Sequence, residues 1–229
     1  MSKLLVLQIE DRKDEFLNSL MQKNRLVCLQ NGIEYMHMKS GPPDVAVYWS
    51  KVFELDRIMN SRKDIDMIMW LDSDAFFAQF QTMNPFMLVK MHPKYVIWIS
   101  PDAPPKYCAS FCAGAFLIKN NTNGRKLIRY WKNLYNKDRW VLKDGRWSTV
   151  GVFSGPDYEQ GAFIDNIQNN DLWKHRICTL PYYVFNEVRC NIPNPLTISI
   201  HFAGHYKDYH KQKFKKKKLY PQSISFLQY

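Results

Sequence analysis

The 229-residue sequence has no Cys-x-x-Cys pair, no internal repeat, no low-complexity linker and no apolar run approaching a membrane span. A spanning helix needs about 18 or more consecutive apolar residues, so none is expected. An odd count of five cysteines fits poorly with a complete disulfide framework. Cys108 and Cys112 also lack Cys or His neighbours at zinc-like spacing, so Cys28, Cys108, Cys112, Cys178 and Cys190 are read as reduced thiols, mostly packing the core. The apolar run Leu4-Leu5-Val6-Leu7 is too short for the hydrophobic region of a signal peptide. On this reading the chain as given is soluble and cytoplasmic.

Acidic residues are in deficit: 21 Asp+Glu stand against 32 Lys+Arg, a formal charge of +11. Such a balance favours polyanions, anionic membrane surfaces or phosphate-bearing small molecules without choosing among them. Much of the excess lies in Lys211, Lys213, Lys215, Lys216, Lys217 and Lys218. Residues 211–229 therefore read as a basic C-terminal tail whose plain interpretation is a solvated, frayed end. Residues 1–210, in a chain 46% hydrophobic and 15% aromatic, suffice for one domain with a large core.

Short apolar runs alternate with helix-like segments. Leu4 to Ile9 reads as a buried strand, Lys13 to Leu29 as a helix, Ile33 to Met38 as a strand, and Val45 to Asn60 as a helix capped by Asp44. Asp66 to Leu71 is then a strand apolar on both faces. That order predicts an α/β fold with a mostly parallel central sheet flanked by helices. Further on come a short helix at Pro85 to Met91, a strand at Tyr95 to Ile99, a Pro-rich loop at Pro101 to Pro105 and a strand at Phe111 to Lys119. A helix from Asn121 to Tyr135, a long loop from Lys137 to Gly155, a helix from Asp157 to Asn169, and strands at Arg176 to Leu180 and Leu196 to His201 complete the series.

The chemistry concentrates where strands end. Gln8 and the turn Glu10-Asp11-Arg12 close the first strand, at the sheet edge where open α/β folds bind ligands. Asp72-Ser73-Asp74 follows the buried run Met69-Trp70-Leu71, and two carboxylates held that close repel unless a cation joins them. A divalent ion on hard oxygens then bridges to a diphosphate. Against this stands an ordinary turn with solvated aspartates. His201 ends the last apolar strand; it is either a metal ligand, whose imidazole would favour Mn²⁺ over Mg²⁺ or Ca²⁺, or a hydrogen-bonded core histidine. Gly204 permits close backbone approach to a phosphate, and Lys207 is near enough to add positive charge. Asp157, Glu159 and Gln160 start a helix after Gly155-Pro156 and either project into a cleft or simply cap that helix. Lys51 is either part of the site or a surface lysine covering apolar neighbours.

These pieces resemble one family, the GT-A glycosyltransferases that include fungal Golgi α-galactosyltransferases, related mannosyltransferases and plant xyloglucan xylosyltransferases. From about Asn24 to Lys207 the fragments come in the family's order. Trp49-Ser50-Lys51 resembles its Trp-Ala-Lys helix, and Met69-Trp70-Leu71-Asp72-Ser73-Asp74-Ala75 its Trp-Trp-Met-Asp-Ser-Asp-Ala signature. Gly114-Ala115-Phe116-Leu117-Ile118-Lys119-Asn120 resembles Gly-Ser-Phe-Leu-Leu-Arg-Asn. Glu159-Gln160-Gly161-Ala162 resembles Asp-Gln-Ser-Ala, and His201-Phe202-Ala203-Gly204 the closing His-Phe-x-Gly. The resemblance implies a retaining glycosyltransferase that moves a hexose or pentose from a nucleotide sugar, UDP-linked by preference, to a glycan or glycoprotein acceptor. It implies Mn²⁺, with Mg²⁺ as the alternative ion, on Asp72, Asp74 and His201, and Ser73 against the donor's ribose or phosphates. It places Gln160 near the anomeric carbon, Glu159 against sugar hydroxyls or the acceptor, and Lys51 and Lys207 facing the donor.

The sequence also departs from the family. Cys112-Ala113 replace Asn-Thr, Glu159 replaces Asp, and His205-Tyr206 stand between Gly204 and Lys207 where the family has Cys then Lys. The family's membrane anchor is missing from the given chain, so a Golgi-lumen location requires an anchor outside it. A compact anchorless form suits a cytosolic enzyme, including one encoded by a large virus that glycosylates its own capsid. Two rival readings are a polyanion- or membrane-surface-binding protein acting through Lys211 to Lys218, and a metal-dependent phosphohydrolase. The second lacks a further Asp or His cluster for a two-metal centre, and no specific nucleic-acid partner is expected.

Overall fold

A computed structural model describes residues 2–104, 109–151, 155–190 and 193–219, so Pro105, Cys108 and the tail after Leu219 lie outside the described residues. The N-terminal part alternates as read. β1 (Leu4–Ile9) leads to α1 (Glu15–Gln30), where the Asp14 side chain caps the helix by accepting from the backbone N–H groups of Phe16 and Leu17. β2 (Glu34–Met38), α2 (Ser50–Ser61) and β3 (Met67–Leu71) follow. Then come β4 (Ala75–Phe77), α3 (Pro85–Met91), β5 (Ile97–Ile99), β6 (Ala115–Lys119) and α4 (Thr122–Lys132). The remainder comprises β7 (Trp140–Lys143), β8 (Arg146–Thr149), α5 (Glu159–Phe163), β9 (Ile177–Thr179), α6 (Tyr182–Phe185), β10 (Ser199–His201) and α7 (His205–Leu219).

The central sheet has the order β2-β1-β3-β6-β5-β9. β1 runs parallel to β2 and β3, and β9 parallel to β5, whereas β6 is antiparallel to both neighbours. The reversal has a local cause. Among the described residues no crossover helix lies between β5 and β6, and the connection folds back through Cys112 N–H to Ser100 O (2.8 Å) and Asp102 N–H to Ala109 O (3.0 Å). The inner strands are buried on both faces. One face packs Trp49, Leu55, Phe116, Trp131 and Phe163, the other Val6, Met69, Phe77, Trp98 and Leu117. Each such side chain contributes about 1.5–3 kcal/mol by leaving water.

Several elements differ from expectation. The segment read as a loop from Lys137 to Gly155 contains a hairpin: β7 and β8 turn at Asp144-Gly145, whose φ values of 51° and 73° are those of a two-residue type I′ turn. The second helix starts later than Val45, as a 3-10 turn at Val47–Trp49, and exposed Asp44 does not cap it. The helix expected from Asp157 starts at Glu159, because Gly155 to Tyr158 close a turn through Tyr158 N–H to Gly155 O (3.0 Å). α7 runs through the boundary expected at residue 210. Its Phe214 ring lies 5.6 Å from that of Phe16 in α1, and Lys211 pairs with Asp14. Cys28, Cys112, Cys178 and Cys190 are free thiols. No helix of the described residues is long and apolar enough to cross a membrane.

Candidate functional site

Two ladders converge on the Asp-Ser-Asp loop. Leaving β3, Asp72 donates its backbone N–H to Gly114 O (2.7 Å), and Ala75 N–H returns to Asp72 O (2.9 Å), closing a tight turn. β4 then pairs with β10 in a register that sets His201 opposite Ala75, and Phe202 N–H bonds Asp74 O at 3.0 Å. The short ladder thus carries a histidine from far along the chain to Asp74, Nε2 to Oδ1 at 3.3 Å. Gly114 makes the room: a Cβ built there would lie 2.0 Å from His201 Cε1. Asp72, Asp74 and His201 bring one ligand atom each within 4.8 Å of one another, the group found among the described residues that can hold a metal ion. Two hard oxygens and one imidazole nitrogen fit a first-row divalent cation.

The charges are arranged around that group. Burial favours the neutral form of Asp74, but His201 and Lys207, whose Nζ stands 3.1 Å from Oδ2, outweigh it and hold the carboxyl well below the usual range. Asp72 Oδ1 accepts from Trp70 Nε1 (2.8 Å) and lies 3.1 Å from Lys51 Nζ. Lys51 is buried rather than superficial. It also meets Glu159 Oε1 at 3.1 Å and donates to Ala113 O at 3.1 Å. Burial alone would favour its neutral form, yet the two carboxylates keep it charged, with its pKa raised. Glu159 goes up as well, because its desolvation exceeds the pull of Lys51. Its Oε2 is buried with no hydrogen-bond partner among the described residues. An acceptor atom so placed suits a ligand hydroxyl. Gln160 Oε1 accepts from Ala113 N–H at 2.9 Å, so Gln160 and Lys51 grip the same residue.

The other expected residues divide. Ser73 is buried beside Asp72 and Asp74, its hydroxyl donating to Glu10 Oε2 (2.5 Å) and accepting from Arg12 Nη2 (3.3 Å). Gln8 turns inward: its amide donates to Asp72 O (3.0 Å) and accepts from Asn24 and Tyr35, so it props the loop from below. Gly204 adopts φ +56° at the entry to α7, with open space where a Cβ would stand. The Asp157 side chain points to Arg139 (3.9 Å), and the structure does not bring it to the carboxylate pair. Three contributors escaped the sequence reading as site residues. Glu10 clasps Arg12 beside Ser73, Asn24 ties α1 to β4 through Ala75 O and Phe77 N–H, and Asn186 bonds His201. The position of Glu10 and Arg12 just after β1 was the one available signal.

The sheet order and the carboxylate loop at its mouth define a GT-A glycosyltransferase fold. A solved glycosyltransferase involved in glycosylation of the major capsid of PBCV-1 matches with a TM-score of 0.65, covering 92% of this chain and 99% of that one at 12% identity. In sequence, the probable xyloglucan 6-xylosyltransferase 5 of Arabidopsis thaliana is 27% identical over 163 residues, 68% of this chain and 35% of that protein. The probable glycosyltransferase 3 of Oryza sativa subsp. indica is 26% identical over 152 residues, 60% of this chain and 30% of its own length. The motif resemblance is thus borne out, although the chain spans about a third of the length of these relatives. No protein-family model matches the chain.

Proposed function

We propose that the chain is a Mn²⁺-dependent glycosyltransferase that moves a hexose or pentose from a UDP-sugar to a hydroxyl of a glycan or glycoprotein, with retention of configuration. The observation that carries this reading is the convergence of Asp72, Asp74 and His201 into one group, which Lys51 links to Glu159 and, through Ala113, to Gln160. When bound, the cation neutralises the diphosphate and stabilises it as a leaving group. Asp72 and Asp74 supply its oxygens and His201 its nitrogen. Glu159 takes a hydroxyl of the donor sugar or acceptor on its unpartnered oxygen, and Gln160 lies against the anomeric region. Lys51 supplies the counter-charge that Asp72 and Glu159 share. Retention follows if the acceptor attacks from the face the diphosphate leaves, with the leaving phosphate taking the acceptor proton; the protein then contributes position and electrostatics.

Calorimetry with UDP and Mn²⁺ tests the reading. Wild type should bind UDP only with the metal, and Asp74→Ala should lose the Mn²⁺-dependent part, by a hundredfold or more on the order expected for a first ligand. Equal binding by both proteins would sink it. The phosphohydrolase alternative predicts steady phosphate release from simple esters, and the single ligand group among the described residues argues against a two-metal centre.

A further inference from the structure

His201 has two ring nitrogens, and a metal can use only one that carries no proton. Nε2 faces Asp74 and Nδ1 faces Asn186 Oδ1 at 3.0 Å. The Asn186 amide is 2% exposed, and its nitrogen donates to two backbone carbonyls, Ser100 O at 3.3 Å and Pro101 O at 3.1 Å. Rotating that amide by half a turn would set its oxygen against both carbonyls and leave its N–H₂ facing the ring. The network therefore forces the oxygen toward His201. An amide oxygen only accepts, so Nδ1 must donate. The Cys112 thiol also approaches Nδ1, but at 3.5 Å it is the longer contact.

We infer that Asn186 is a positioning residue which fixes the His201 ring and reserves Nε2 for the cation, relaying the geometry of the Ser100-Pro101 strand exit to the metal group. Its backbone supports that role. Asn186 N–H is bonded to Tyr182 O (2.8 Å) at the end of α6, and the next residue, Glu187, accepts from His201 N–H (2.8 Å). One short segment thus holds both the backbone and the ring of the histidine. This inference rests on the metal reading proposed above.

Mn²⁺ affinity, measured from the free-ion EPR signal on the whole chain without substrate, tests it with three variants. Asn186→Leu and Asn186→Ala remove both the acceptor and the donors; Asn186→Asp keeps an acceptor oxygen and loses the donors to Ser100 and Pro101. Leu or Ala should weaken Mn²⁺ binding about 10- to 100-fold, while Asp, which keeps an acceptor for Nδ1 but sets an oxygen against the Ser100 and Pro101 carbonyls, should fall between them and wild type. With ¹⁵N-histidine label, pulsed EPR should show one directly bonded imidazole nitrogen in wild type and Asn186→Asp. Thermal melting of the metal-free proteins identifies any variant that fails to fold, and Ala replaces Leu if Leu does. Equal losses in Asp and Ala, or no loss in either, would overturn the inference and leave the metal reading standing. A wild type that binds no Mn²⁺ would overturn both.

Discussion

Each carboxylate of the Asp-Ser-Asp loop meets a lysine at 3.1 Å, and the two lysines are held in opposite ways. Lys51 grows from α2, which packs into the core. Its side chain is 9% exposed, and it serves Asp72, Glu159 and the Ala113 carbonyl at once. Lys207 stands in the first turn of α7, 29% exposed on the rim, and serves Asp74. A buried ammonium with two carboxylates cannot leave without stranding charge in a low dielectric, whereas a rim lysine exchanges its partner for water or an anion at little expense. The wall of Lys51 and Glu159 is therefore built to stay fixed, and the metal-facing wall of Asp74 and Lys207 to release a cation when another arrives.

The largest effect expected of this difference is on stability. Lys51→Met leaves Glu159, whose side chain is 2% exposed, without its counter-charge and should destabilise the chain by about 3 kcal/mol or more. Lys207→Met should cost less than about 1 kcal/mol while weakening nucleotide binding. Denaturant unfolding of both metal-free variants measures the contrast, and equal losses would erase it.

The same contrast governs what the sequence disclosed. The fixed wall was legible because it is local or motif-bearing: Trp49-Ser50-Lys51, Asp72 directly after Met69-Trp70-Leu71, and Glu159-Gln160 each fall within one short string. Lys51 alone looked like a surface lysine, since its i–4 and i+4 neighbours Val47 and Leu55 are apolar; the burial comes from Asp72 and Glu159, which no local window contains. The metal-facing wall depends on a three-residue ladder between Phe76 and Ile200, too short for periodicity to reveal. The β6 reversal was hidden because strand direction depends on the connection, and the Asp144-Gly145 turn because the glycines and tryptophans around it suggested a loop. The lysine run looked like a tail, since the aromatic positions Tyr206, His210 and Phe214 that dock α7 are few among its charges.

A middle-sized effect probes the junction of the two walls. Gly114 lies on the floor they share, giving its carbonyl to Asp72 and its missing side chain to the His201 ring. Gly114→Ala puts a methyl where only 2.0 Å is available, so the imidazole must shift away from Asp74. Mn²⁺ affinity should fall about tenfold or more, with the Lys51–Glu159 pair undisturbed. Affinity unchanged in a folded variant would mean that the β4–β10 ladder, and not the glycine, sets the histidine.

The smallest effect is the response of the two walls to acid in the metal-free chain, where they should run in opposite directions. Asp74 ionises below its ordinary 3.8 because His201 and Lys207 outweigh its burial. Between its folded value and 3.8 the unfolded chain holds more protons, so its contribution is complete above 3.8 and lost as pH falls. Glu159 ionises above its ordinary 4.5 because burial outweighs Lys51. From 4.5 up to its folded value the folded chain holds more protons, and its contribution falls as pH rises. Unfolding free energies taken from about pH 3 to about pH 6 should show Asp74→Asn flattening the rise below 3.8 and Glu159→Gln flattening the fall above 4.5. If both variants altered the same limb, the two carboxylates would share one electrostatic environment, and the distinction between a fixed wall and a yielding one would have no basis in charge.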